Sequence, residues 1–197
     1  MGTGILAFGS IVDEPGAELA DVVTGRVNVR TPFRVEFARS SRSRDGAPTL
    51  VPVDEGGARI AACVLVLAGS VSVAEARAML YRRETGRLPG TRDAATVGWI
   101  AELAGFAGIG VCLYTALKPN ISPPLTAAKL ADLAVRSAVR TSGAQRRDGI
   151  SYLEQQKRRG VQTPLMPSYE EAVMARTGAG NLEDAWARAR SGGAPAL

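Results

Sequence analysis

Strand-like patterns occupy residues 4–117 and helix-like patterns occupy most of the remaining chain, with one helix intruding at 72–84. That order restricts the fold more than any other feature. Strands collected first and helices later favour an α+β protein over a βαβ alternation. The expected architecture is a small mixed β-barrel or sheet with helices gathered outside it. Residues 4–9 form the first strand. Val22 to Val29 and Phe33 to Ala38 alternate like half-buried strands, with Pro32 marking a turn or an edge between them. Thr49 to Val53 and Ile60 to Leu67 read as two more strands around an Asp54-Glu55-Gly56-Gly57 turn. Val97 to Leu103 and Ile109 to Leu117 read as a hairpin around Gly105-Phe106-Ala107-Gly108, and residues 87–95 read as loop.

The helices announce themselves by their caps. Ser72 with Glu75 three residues on forms a capping box for a helix that Gly86 stops. Pro123-Pro124 opens a helix over 125–141, with Leu130, Leu133, Ala134 and Ser137 along one face. Ile150 to Arg158 is a helix ended by Gly160. Ser168 with Glu171 marks another, and Asn181 caps the last, which runs to about Arg190.

With 197 residues and no histidine, the chain lacks serine–histidine and cysteine–histidine nucleophile pairs and histidine metal sites. Cys63 and Cys112 lie in apolar β-like runs and read as small buried hydrophobes. The net charge of +5 comes largely from two arginine groups, Arg26 to Arg44 and Arg136 to Arg159. No nucleic-acid motif accompanies them, so a solvated surface is expected rather than a nucleic-acid site. No run approaches the ~20 apolar residues of a membrane span. The order of a secretory signal is missing, so a soluble cytoplasmic protein is expected.

Two places can carry chemistry. On a helical wheel Val73, Ala76 and Leu80 define the inward stripe of the 72–84 helix, and Glu84 continues it. Arg82 points to the opposite side. Burial and the negative end of the helix dipole both disfavour a charge at Glu84, so its pKa should rise above the usual ~4.3 if no cation neutralises it. That would suit a general base. On spacing alone, the plainer reading is an inward glutamate satisfied by an arginine or by backbone amides. The second place is the turn Phe8-Gly9-Ser10-Ile11 after the first strand. Gly9 permits a positive φ, successive N–H groups can form an anion-binding nest, and Ser10 adds a hydroxyl. An ordinary strand-ending glycine turn explains the same residues.

Taken in order, three segments resemble the gamma-glutamylcyclotransferase-like family. Ile5-Leu6-Ala7-Phe8-Gly9-Ser10-Ile11 is similar to the Tyr-Gly-Ser loop after that family's first strand. Leu80 to Gly86 is similar to its segment ending in the catalytic glutamate, and Gly149 to Glu154 resembles the glycine-led start of a late helix. The resemblance spans residues 4–160. It implies a catalytic domain over 1–160 and a helical extension over 161–197 packed on that domain and available for self-association. It further implies that Phe8, Gly9, Ser10 and Ile11 bind the substrate and that Glu84 is the catalytic acid/base. The implied reaction is cofactor-free and metal-free. The α-amine of a γ-glutamyl amine or peptide, as in glutathione metabolism, attacks its own γ-carbonyl to give 5-oxoproline and a released amine or amino acid. The implied partner is this small molecule, with neither nucleic acid nor membrane.

The chain also departs from the family. Phe8 stands where tyrosine is usual, and Arg87 to Asp93 forms a longer, more polar stretch where an aromatic residue often follows the glutamate. These departures keep open a non-catalytic module that binds small acids on the same scaffold.

Overall fold

A computed structural model of the chain describes residues 2–86 and 99–192. It divides into two compact units, Met1–Pro32 with Ala61–Leu117, and Phe33–Ile60 with Lys118–Leu197. The expected boundary at residue 160 falls inside the second unit.

The first unit is built on a five-stranded mixed sheet in the order β2-β5-β1-β7-β6. Its strands are β1 (Thr3–Ala7), β2 (Val23–Arg30), β5 (Ala61–Leu67), β6 (Ile100–Ala104) and β7 (Val111–Thr115). β1 is buried along its whole length, as a short continuous apolar run predicts for a central strand. It runs antiparallel to β5, with Ile5 opposite Leu65, and parallel to β7, with Gly4 opposite Cys112. β6 and β7 form the expected hairpin, with Leu103 opposite Cys112.

The sheet is open, which corrects the barrel expectation. β2 and β6 each pair with one neighbour in it. Both carry exposed charge, Arg26 and Arg30 on β2 and Glu102 among the exposed or half-buried positions of β6, as edge strands commonly do. Helix α1 (Ala17–Val22) comes after a 3₁₀ turn over Gly9–Val12. Helix α2 (Val73–Thr85) packs Ala76 and Leu80 into a core shared with Ile5, Leu19, Leu65 and Leu113. Its capping box is complete. The Glu75 N–H donates to Ser72 Oγ at 3.2 Å, and the Ser72 N–H donates to Glu75 Oε2 at 2.8 Å. Gly86 closes the helix in the left-handed region.

The second unit joins the β3–β4 hairpin (Arg34–Ser41 and Ala47–Val53) to α3 (Ala127–Ala138), α4 (Thr141–Ala144), α5 (Gly149–Arg158), α6 (Met166–Thr177) and α7 (Leu182–Arg190). Phe37 of β3 meets Tyr152 and Tyr169 edge-on, at centroid distances of 6.1 and 5.4 Å. Beside it the buried Glu36 carboxylate accepts from the Phe37 N–H at 2.9 Å, Thr163 Oγ1 at 2.6 Å and the Leu165 N–H at 3.2 Å. These bonds supply what a buried carboxylate needs and tie β3 to the lead-in of α6.

Several expectations change in detail. The strands on either side of Pro32 do not pair, because β2 joins β5 and β3 joins β4. The strands around Asp54–Gly57 likewise belong to different sheets. Thr126, rather than the prolines, caps α3 by accepting from the Lys129 N–H at 3.3 Å. Ser168 lies inside α6, which already starts at Met166 with Pro167 in its first turn, and its hydroxyl donates to the Leu165 carbonyl at 3.1 Å. Asn181 caps α7 as expected. Asp148, unanticipated, caps α5 by accepting from the Ile150 and Ser151 N–H groups. The loop expected over 87–95, and Val97 and Gly98 of the next strand, lie outside the described residues.

Candidate functional site

The strand β1 ends at Ala7, and Phe8 continues it in extended conformation before the chain turns sharply. Gly9 makes that turn with φ of 63°, a left-handed value that glycine adopts without steric cost. Residues 9–12 then coil into one 3₁₀ turn, and the Asp13 and Glu14 N–H groups both donate to the Ser10 carbonyl. Phe8 and Ile11 are buried, whereas Ser10 is half-buried. Apolar side chains therefore anchor the loop on both sides of the Ser10 hydroxyl.

Glu84 sits in the last turn of α2, four residues beyond the fully buried Leu80. Its side chain keeps only 18% of its surface exposed, so the inward stripe does carry a carboxylate out of bulk water. A cation accompanies it, as the plainer reading of an inward glutamate satisfied by an arginine expects. The neighbouring Arg83 donates from Nη1 to Glu84 Oε1 in an ion pair. The same guanidinium donates from Nη2 to Ser10 Oγ at 3.1 Å, and from Nε and Nη2 to the Glu14 carbonyl at 3.2 and 2.9 Å. One arginine thus joins the end of α2 to the loop after β1.

That pairing is not a default of helix geometry. Adjacent residues lie about 100° apart on the wheel and normally face different ways. The Glu14 carbonyl resolves this, because it grips the Nε–Nη2 edge of the guanidinium and turns the Nη1 end toward Glu84. Arg83 is the site residue that sequence reasoning missed. Its signal was a basic residue beside the candidate glutamate in the last turn of the helix.

Arg82 is half-buried and pairs with α1. It donates from Nε to Glu18 of α1 at 2.8 and 2.9 Å, and its side chain is 25% exposed. The short helix α1, unforeseen in the sequence, covers that side. The Arg82 guanidinium holds the exposed Glu18 carboxyl below the usual carboxylate range. Between α1 and the end of α2 lies an open cleft of about 370 Å³, lined by residues 15–19, Met79, Arg82, Arg83 and Gly86. Arg83 connects this cleft to Ser10 and Glu84, whereas neither Glu84 nor residues 8–11 line it.

Both cysteines are buried, and burial pushes both thiols up, with Arg26 pulling Cys63 partly back. High thiol pKa values go with inert structural cysteines. Among the described residues, no group of three or more cysteine, aspartate or glutamate side chains is placed to hold a metal ion. No described helix is long and apolar enough to cross a membrane. The third segment of the family resemblance, Gly149 to Glu154, forms the start of α5 in the second unit. No family model, curated protein or solved structure matches the chain.

Proposed function

We propose that the chain is a cofactor-free γ-glutamyl cyclotransferase, with Glu84 as the acid/base and the Phe8, Gly9, Ser10 and Ile11 loop binding the γ-glutamyl group. The observation that carries this reading is the Arg83 bridge, which brings a largely buried carboxylate and the loop after β1 into one hydrogen-bonded cluster. The chemistry asks for little more. The α-ammonium, with a pKa of about 8, first loses one proton to solvent, which frees its lone pair for attack. As its nitrogen bonds to the γ-carbonyl carbon, Glu84 takes the proton released. Glu84 then gives it to the leaving nitrogen as the old γ-amide bond breaks, which frees 5-oxoproline and an amine. N–H groups of the loop stabilise the oxyanion, and closure of a five-membered ring draws on proximity within one molecule.

The test is to incubate the protein with γ-glutamyl-alanine, glutathione and a γ-glutamyl amine and to assay 5-oxoproline. Turnover of at least one is expected, and failure with all three would contradict the proposal. Because Arg83 already neutralises Glu84, a second reading has an observation of its own. A small-acid binding module would gain thermal stability from 5-oxoproline while forming no product from any of these compounds.

A further inference from the structure

From the arrangement of Arg83 and Glu84 we infer that this ion pair is the receptor for the free α-amino-acid head group of the ligand, with Arg83 taking its carboxylate and Glu84 its ammonium. The inference rests on the reading of the substrate as a γ-glutamyl compound. It goes beyond that reading in assigning a specificity role to Arg83.

Three observations carry it. The guanidinium is anchored on the Glu14 backbone carbonyl through its Nε and Nη2 groups, so its position does not depend on Glu84. Its remaining donors are directed at two oxygens, Ser10 Oγ and Glu84 Oε1, in the fork geometry that suits a carboxylate. The two side chains keep 17% and 18% of their surface exposed, so a ligand can reach the pair from solvent without the core opening.

A zwitterionic head group entering here replaces one ion pair by two. Its carboxylate takes over the Arg83 fork and the Ser10 hydroxyl donor. Its ammonium meets the released Glu84 oxygen. The exchange also places the nitrogen that must lose a proton against the group that receives it. A γ-substituted ligand with its α-carboxylate masked cannot make the first contact, and Glu84 then stays bound to Arg83. Free amine alone is therefore insufficient for recognition.

The experiment measures calorimetric binding of γ-glutamyl-alanine and of the same compound with its α-carboxylate converted to carboxamide. Both are tested on the unmodified protein, Arg83→Met and Arg83→Lys, with 5-oxoproline assayed in parallel. The unmodified protein should bind the free acid at least tenfold more tightly than the carboxamide. Arg83→Met should lose that preference, and Arg83→Lys, which keeps charge but not the fork, should retain part of it. Equal binding of the two compounds by the unmodified protein, or binding of neither, overturns the inference without recourse to a variant. So does a preference that survives in Arg83→Met. An Arg83-dependent preference without 5-oxoproline would leave the head-group receptor standing and remove the cyclotransferase. Turnover of both compounds at equal kcat/KM would do the reverse.

Discussion

Arg83 and Arg82 are neighbours of the same chemistry with different structural duties. Arg82 pairs with Glu18 of α1, whose side chain is 52% exposed. Arg83 pairs with a largely buried partner and also serves a backbone carbonyl and a hydroxyl. Exposed pairs contribute little to stability, whereas removing one member of a buried pair leaves the other charge uncompensated. Arg83→Met is therefore expected to lower the melting temperature more than Arg82→Met. Thermal scans of the two variants check this, and the opposite ranking would contradict the described geometry. The candidate glutamate was legible in the sequence because position 84 continues a stripe set by Ala76 and Leu80. That an arginine would satisfy it was also an open reading, but which arginine was not, since nothing in the local sequence says that the Glu14 carbonyl holds the adjacent Arg83 beside it.

Several elements whose signals are local emerged as the sequence suggested, although the box read at Ser168 and Glu171 did not, because that helix already begins at Met166. The box at Ser72 and Glu75, the cap at Asn181 and the Gly105 to Gly108 hairpin each need only a few consecutive residues. Ser72→Ala should destabilise the protein by about 1 kcal/mol, measured as a shift in urea midpoint, because it removes the acceptor for the Glu75 N–H. Strand partnership is not local, and the sequence leaves it open. Alternation shows that β2 and β3 are strands but not that they belong to different sheets. The start of α5 shows a further nonlocal constraint. A Cβ on Gly149 would lie 2.7 Å from the Ala134 Cα of α3. Gly149→Ala is expected to cost about 1–3 kcal/mol through overpacking, although alanine is the better helix former. A neutral or stabilising result in the same denaturation assay would show that α3 and α5 do not pack so closely.

At the scale of the molecule each unit has its own buried groups, and some of them set its response to pH. Burial pushes the Tyr169 hydroxyl well above its ordinary value, with Asp148 and Tyr152 adding to the effect, and burial raises both cysteine thiols. The folded chain therefore holds these protons more tightly than the unfolded chain does. Their contribution to stability is full below about pH 8.5 for the thiols and about pH 10 for the tyrosine, and it is lost as pH rises from there through the folded values. Urea midpoints should fall between about pH 8.5 and 11, and Tyr169→Phe should flatten the upper part of that fall. A midpoint independent of pH in this range would contradict the burial described. The proposed cyclotransferase activity rests on a different acid, Glu84 in the first unit, and the most direct measurement is the single-turnover rate of 5-oxoproline formation from γ-glutamyl-alanine by the unmodified protein and by Glu84→Gln. The account predicts formation by the former and a loss of about 10²–10⁴-fold in the latter, the usual worth of a positioned acid/base. Equal rates in the two proteins would contradict it.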